Sequence, residues 1–218
     1  MELSDLEAFL DDPNPQLRRK AMTALRQYDP EQAVPLLKRH MYDEQFSLRS
    51  FVASGLGHKR NGEAFEALLT LISRETDHNV IAEAANSLSK FGPPALPHLV
   101  EIYEKNSNWL IRLSIFAVIG EFKSPETLLH FCTLGLQGED LIVKRAALSN
   151  LKQLKEAPQR AEALEIACQA ATDKHAFIRA AAAKALRYLG GAQAEAALGE
   201  LRQDPDVSVV KAVLEGLL

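Results

Sequence analysis

One nine-residue phrase recurs seven times along the 218-residue chain. It opens on an aliphatic residue, usually followed by Arg or Lys, and closes on a small residue and Leu or Ile. The copies are LRRKAMTAL from Leu17, LRSFVASGL from Leu48, VIAEAANSL from Val80, IRLSIFAVI from Ile111, VKRAALSNL from Val143, IRAAAAKAL from Ile178 and VVKAVLEGL from Val209. Their starts are 31, 32, 31, 32, 35 and 31 residues apart. A period of this size means a stack of small supersecondary units, because each unit alone is too short to bury a core.

The apolar positions of the phrase are the first, fifth, eighth and ninth, which form one stripe of an α-helix. The fifth positions are Ala21, Val52, Ala84, Ile115, Ala147, Ala182 and Val213. Upstream of each phrase lies a second amphipathic segment, such as Ala64–Ile72 or Ala95–Tyr103. Asp12-Pro13-Asn14-Pro15, Asp77-His78-Asn79, Asn106-Ser107-Asn108 and Asp204-Pro205 separate the two segments and supply N-caps and first-turn prolines. Gly62, Gly92 and Gly190-Gly191 punctuate the exits. The repeat is therefore a helix–turn–helix of about 31 residues, with approximate boundaries at 1–27, 28–58, 59–91, 92–122, 123–154, 155–190 and 191–218. The spacing of 35 places a longer connection around Lys155–Arg160.

Composition agrees. Ala (31) and Leu (33) dominate while aromatics are 6%, which suits helices and argues against strands. The formal net charge is −4, with 12 basic and 16 acidic residues up to position 110 and 13 of each beyond it. Neither half is basic enough to predict phosphate-backbone or anionic-membrane binding, so no nucleic-acid partner is expected; a basic second-helix face would be needed to revive that reading. No apolar run is long enough for a membrane span. Met1–Asp5 lacks the pattern of a secretory leader, and Cys132 and Cys168 give neither a disulfide framework nor a CxxC pair. A cytoplasmic location is the expectation.

With an Asp five positions before the aliphatic–Arg pair, the unit resembles the HEAT repeat. Asp12/Leu17-Arg18, Asp43/Leu48-Arg49 and Asp173/Ile178-Arg179 match that motif in full. Asp204/Val209 lacks the Arg, while Glu75, Asn106 and Gly138 stand where the middle repeats would carry Asp. The resemblance implies an all-α fold, a right-handed α-α superhelix of about seven helix pairs. The Ala-rich version here is similar to the bilin-lyase HEAT-like subfamily. The stretches Phe46–Gly57, Ala82–Leu88 and Asn108–Ser114 resemble cyanobacterial proteins related to phycobilin lyases and phycobilisome degradation. That resemblance implies a phycobiliprotein or related soluble protein as partner, phycocyanobilin as ligand if the chain is a lyase, and a link to iron–sulfur assembly as a further alternative. A DNA-binding HEAT-like protein is the weakest alternative.

The residues themselves offer little chemistry. Six histidines form no HExxH or HxxxH pair, and none is followed by Glu, as the metal-binding hydroxylases of this fold would require. Two cysteines supply half of a four-thiolate cluster and read as small apolar residues in helical runs. No metal and no catalytic residue are assigned. What is left is surface. In HEAT solenoids the second helices line the concave face, and positions three, seven and ten of the phrase point away from the core. Position seven runs Thr23, Ser54, Asn86, Ala117, Ser149, Lys184, Glu215. Position four includes Lys20, Phe51, Glu83 and Ser114, with Phe51 a large apolar side chain among polar or small neighbours. Trp109, the sole Trp, is either an interface anchor or a staple for its turn. The second-position column, Arg18, Arg49, Arg112, Lys144 and Arg179, reads first as bridges to acidic turns and second as contacts. His58-Lys59-Arg60 reads as a solvated helix end. The candidate partner-binding residues are Arg49, Phe51, Ser54, Glu83, Asn86, Trp109, Arg112 and Ser114. The expected function is a non-enzymatic scaffold. The last phrase ends at Leu217-Leu218 without a polar cap, which makes a homodimer through that repeat a further expectation.

Overall fold

The computed structural model describes residues 3–215. These residues form fourteen α-helices and four short 3-10 segments, with no strand among them. The chain divides into two compact units at Val118/Ile119.

The first unit holds four helix pairs: α1 (Leu3–Leu10) with α2 (Pro15–Ala24), α3 (Pro30–Arg39) with α4 (Phe46–Lys59), α5 (Gly62–Arg74) with α6 (His78–Ser89), and α7 (Leu96–Lys105) with α8 (Trp109–Val118). The second helices pack in series, α2 on α4, α4 on α6 and α6 on α8. The second unit holds three pairs: α9 (Pro125–Gln137) with α10 (Leu141–Asn150), α11 (Arg160–Ala170) with α12 (Ala176–Leu189), and α13 (Ala192–Leu201) with α14 (Val207–Leu214). There α10 packs on α12 and α12 on α14. Each even-numbered helix opens one copy of the phrase, and the ninth residues Leu25, Ile119 and Leu151 fall in the 3-10 segments that follow α2, α8 and α10.

The stripe is the core. All seven fifth-position residues are buried, as are the first-position residues Leu48, Val80, Ile111, Val143, Ile178 and Val209. Leu17 is half-buried. The ninth-position anchors Leu25, Leu56, Leu88, Ile119, Leu151 and Leu186 are buried too, while Leu217 lies outside the described residues. At the eighth position Gly55 faces the Leu37 side chain, and the small residues allow α4 and α6 to close up further along. A Cβ built on Gly57 would sit 2.5 Å from Ser87 Cβ and 2.9 Å from Ser87 Cα. No second side chain fits beside Ser87 between these two backbones.

The turns follow the capping residues. Asn14, Asp77, Asp140 and Asp206 accept from backbone N–H groups in the first turns of α2, α6, α10 and α14. Asn108 Oδ1 accepts from Leu110 N at 2.9 Å and opens α8. One exit differs from expectation. Gly62 begins α5, and it is Arg60 that takes the left-handed conformation after α4 (φ 51°). Just before it, the Lys59 ammonium reaches back to the carbonyls of Arg26 (3.0 Å) and Tyr28 and ties the helix end to the previous pair. Lys59 is thus a bridge between repeats, not a solvated helix end. Burial lowers its pKa, with Asp29 opposing. The longer connection falls where the spacing placed it, between the 3-10 segment Leu151–Leu154 and Arg160. Arg160 uses its guanidinium to bond Leu189 O and Gly190 O, closing the end of α12.

Candidate functional site

The second-position column builds a charge ladder. Arg18 Nη1 donates to Asp12 O at 2.8 Å, fastening its own turn, while Nε and Nη2 hold Asp43 of the next repeat at 2.9 and 3.2 Å. Arg49 repeats the arrangement with Asp43 O (2.8 Å) and Glu75 (2.6 and 3.0 Å). Glu75 therefore fills the Asp position of the motif with one extra methylene. Lys144 holds Asp173 at 3.0 Å, and Arg179 holds Asp204 at 2.7 and 2.8 Å. The acids also cap their own turns, for Asp43, Asp173 and Asp204 accept from Gln45 N, His175 N and Asp206 N. The Glu75 carboxyl is pushed up by burial and pulled further down by Arg49 and two backbone N–H groups, so its pKa falls below the ordinary value.

The ladder lapses in the middle repeats. Ile81 takes the second position of the third phrase, and Asn106 takes the acid position opposite. Arg112 donates Nε to Asn106 O at 2.8 Å and lays its guanidinium 4.8 Å from the Tyr103 ring centroid. Of the eight candidate residues, Arg49 is thus engaged in the ladder and Arg112 in its own turn.

The others are distributed over α4, α6 and α8. Phe51 is half-buried, with the Arg19 guanidinium 5.9 Å from its ring centroid. Ser54 and Asn86 are half-buried on the same helices as Phe51 and Glu83 respectively. Glu83 and Ser114 come together. With Asn79, Ala82, Leu110 and Leu113 they line an open groove of about 380 Å³ between α6 and α8. Ser114 Oγ donates to Ala82 O at 2.8 Å, and Ser87 Oγ donates to Glu83 Oε1 at 3.4 Å. Trp109 does not line that groove; it is the first residue of α8 and 48% exposed.

Cys132 is buried, donates to Ala147 O at 3.3 Å, and has its thiol pKa pushed up by burial. Cys168 is half-buried instead of fully enclosed, and burial and the nearby Glu200 raise its pKa. Among the described residues, no group of three or more His, Cys, Asp or Glu could hold a metal ion. No helix among them is long and apolar enough to cross a membrane.

Sequence reasoning missed a second set of surface residues. Phe177 (41% exposed) and Tyr188 (56%) stand out from α12, beside Arg145 and Lys152. Their signal was available only by sorting charges by helix layer: whole-chain balance conceals that α10, α12 and α14 contain no Asp or Glu.

The homodimer expectation at Leu217 and Leu218 lies outside the described residues.

No curated protein matches the sequence significantly. Solved structures of similar fold include the YibA protein of Escherichia coli, 19% identical with a TM-score of 0.67, covering 97% of this chain and 80% of that one. The complex of CpcE and CpcF of phycocyanin lyase from Nostoc sp. PCC7120 is 20% identical with a TM-score of 0.54, covering 100% and 95%. At these identities the likeness establishes the fold alone. The family model for HEAT repeats matches residues 39–120 and 130–218, well over half of the sequence. With the seven-fold phrase, the paired helices and the charge ladder, this places the chain in the HEAT-repeat family.

Proposed function

We propose that this HEAT-repeat chain is a non-enzymatic scaffold that binds a soluble protein partner on the second-helix side of its first unit. The observation that carries this reading is the groove between α6 and α8. Leu110, Leu113 and Ala82 offer apolar area, and Asn79 and Glu83 offer polar contacts. Phe51 repeats on α4 the fourth phrase position that Glu83 and Ser114 hold, and Ser54 and Asn86 hold the seventh position on α4 and α6. Small side chains in such a surface let another backbone approach closely, and an aromatic supplies an anchor. The groove's chemistry favours binding over catalysis. Glu83 is the single titratable group lining it, and the Ser114 hydroxyl proton is directed at a backbone carbonyl and not at a base.

A phycobiliprotein subunit is the first partner to test. The sequence resemblance to the cyanobacterial bilin-lyase group supports it, and so does the shared fold with the CpcE–CpcF complex of phycocyanin lyase. Sedimentation velocity with purified phycocyanin subunits should show a complex with the wild-type chain, weakened about ten-fold or more in Phe51→Ala/Asn86→Ala. Equal binding by the variant would remove the surface assignment, and absence of any complex would remove the partner. Transfer of phycocyanobilin onto an apo-subunit, seen as a visible absorbance change that survives denaturation, would replace the scaffold reading with a lyase.

A further inference from the structure

The second unit separates its charges by layer. Its second helices, α10, α12 and α14, carry Lys144, Arg145, Arg179, Lys184, Arg187 and Lys211 and no carboxylate. Its first helices, α9, α11 and α13, carry Glu126, Glu162, Glu165, Glu195 and Glu200 against Arg160. A chain of net charge −4 thus presents one face on which cations prevail. Three of those cations are engaged: Lys144 with Asp173, Arg179 with Asp204, and Arg187 with Ala212 O. Arg145, Lys184 and Lys211 remain on the face, joined by Lys152 from the 3-10 segment after α10. Among the described residues, Glu215 at the end of α14 stands 3.1 Å from Lys184.

Aromatic rings are interleaved with these cations. Phe177, Lys184 and Tyr188 fall on one stripe of α12, seven and four residues apart. The Arg145 guanidinium carbon is 5.1 Å from the Phe177 ring centroid, and Lys152 Nζ is 6.0 Å from that of Tyr188. Each cation leans on a ring face, which orders a long side chain while leaving N–H groups for an acceptor.

The geometry points to an acidic segment of a partner protein as the occupant of this face, its carboxylates meeting Arg145, Lys184 and Lys211 and its apolar side chains resting on Phe177 and Tyr188. Charge complementarity selects an anion, and the two exposed rings select one that also carries apolar groups. A nucleic acid fits less well. Phosphate-backbone affinity grows with the number of cations free to meet phosphates, whereas on this face Lys144 and Arg179 are held by carboxylates and Lys184 is shared with Glu215. The inference rests on the scaffold reading above but concerns different helices and a different class of contact.

The test uses the full chain and three fluorescent probes followed by anisotropy. One is a peptide of about twenty residues alternating Asp or Glu with Leu or Phe, the second its counterpart with Lys and Arg, and the third a single-stranded oligonucleotide of similar length. The acidic peptide should bind, weaken as salt rises, and lose about ten-fold or more in affinity in Arg145→Glu/Lys211→Glu, and also weaken in Phe177→Ala/Tyr188→Ala. In the wild-type chain, hydrogen exchange should slow in α10 and α12 when that peptide is added, a readout independent of any variant's folding. Equal binding by the charge-reversed variant, no binding of the acidic peptide, or tighter binding of the oligonucleotide would each overturn the inference. Phe51→Ala/Asn86→Ala should keep full affinity for the acidic peptide. Loss of phycocyanin binding in that variant, with acidic-peptide binding kept, supports both claims. Intact phycocyanin binding with no acidic-peptide binding removes only this one.

Discussion

Arg179 holds the Asp204 carboxylate through two nitrogens, Nε at 2.7 Å and Nη2 at 2.8 Å, while Nη1 bonds the carbonyl of Asp173 at 2.9 Å. One guanidinium therefore fastens the turn of its own repeat to the turn of the next. Both side chains are largely enclosed, at 16% and 5% exposure. A pair in that setting is worth more than a surface ion pair, and truncating one partner leaves the other desolvated and unmatched.

Asp204→Ala should accordingly destabilise the chain by about 1–3 kcal/mol, read as a lower urea midpoint. Arg179→Lys should recover little, because a single ammonium cannot hold the carboxylate by two nitrogens and also reach the Asp173 carbonyl. Full recovery by lysine would show that charge alone matters at this rung.

Acid should weaken the rung at Asp173. Burial pushes this carboxyl up, but the His175 backbone N–H, the Lys144 ammonium and the His175 ring together hold it at about 2, below the ordinary 3.8. A carboxyl with a depressed folded-state pKa stabilises the fold above its unfolded value, and that contribution disappears as pH falls through the folded one. The wild-type chain should lose roughly 1–2 kcal/mol from this group between about pH 4 and pH 2. Asp173→Asn should be less stable at neutral pH and show a shallower decline over that window in denaturant titrations. An unchanged slope would mean that other carboxylates govern the acid limb.

The contact of α4 with α6 should tolerate no side chain at Gly57. Gly57→Ala forces a methyl group against Ser87 and should lower the thermal midpoint, at a cost of about 1–3 kcal/mol. Ser87→Gly removes the opposing Cβ, so the double variant should recover part of the loss. A Gly57→Ala chain as stable as wild type would mean that the two helices can move apart freely.

The two thiols should separate cleanly in alkylation followed by mass spectrometry. Cys132, enclosed and hydrogen-bonded to Ala147 O, should stay unmodified by iodoacetamide under native conditions and react only on unfolding. Cys168 should react slowly, since it is half-buried with its pKa raised by burial and Glu200. Faster native labelling of Cys132 than of Cys168 would contradict the packing of α9 on α10.

The period, the apolar stripe and the capping residues were all legible in the sequence. Each depends on spacing inside one helix or on a residue that caps its own turn, so a single repeat contains the information. Glu75 read as a departure from the Asp of the motif, and it is the structure that shows it holding Arg49. The candidate surface was legible only as columns of positions. Tertiary structure decided which members of a column meet: Glu83 joins Ser114 in one groove, Arg49 is engaged by Glu75, and Arg112 turns to Asn106 O and Tyr103. It also decided that Lys59 serves a neighbouring repeat, that Cys168 stays half-exposed, and that the cations of α10, α12 and α14 share a face with Phe177 and Tyr188. The reason is distance along the chain. Helical periodicity acts over three to four residues, whereas the partners of these charges lie some 25–33 residues away, one repeat further on. Which cation is engaged and which stays free is settled by how adjacent repeats pack, and that is where recognition by a partner is decided.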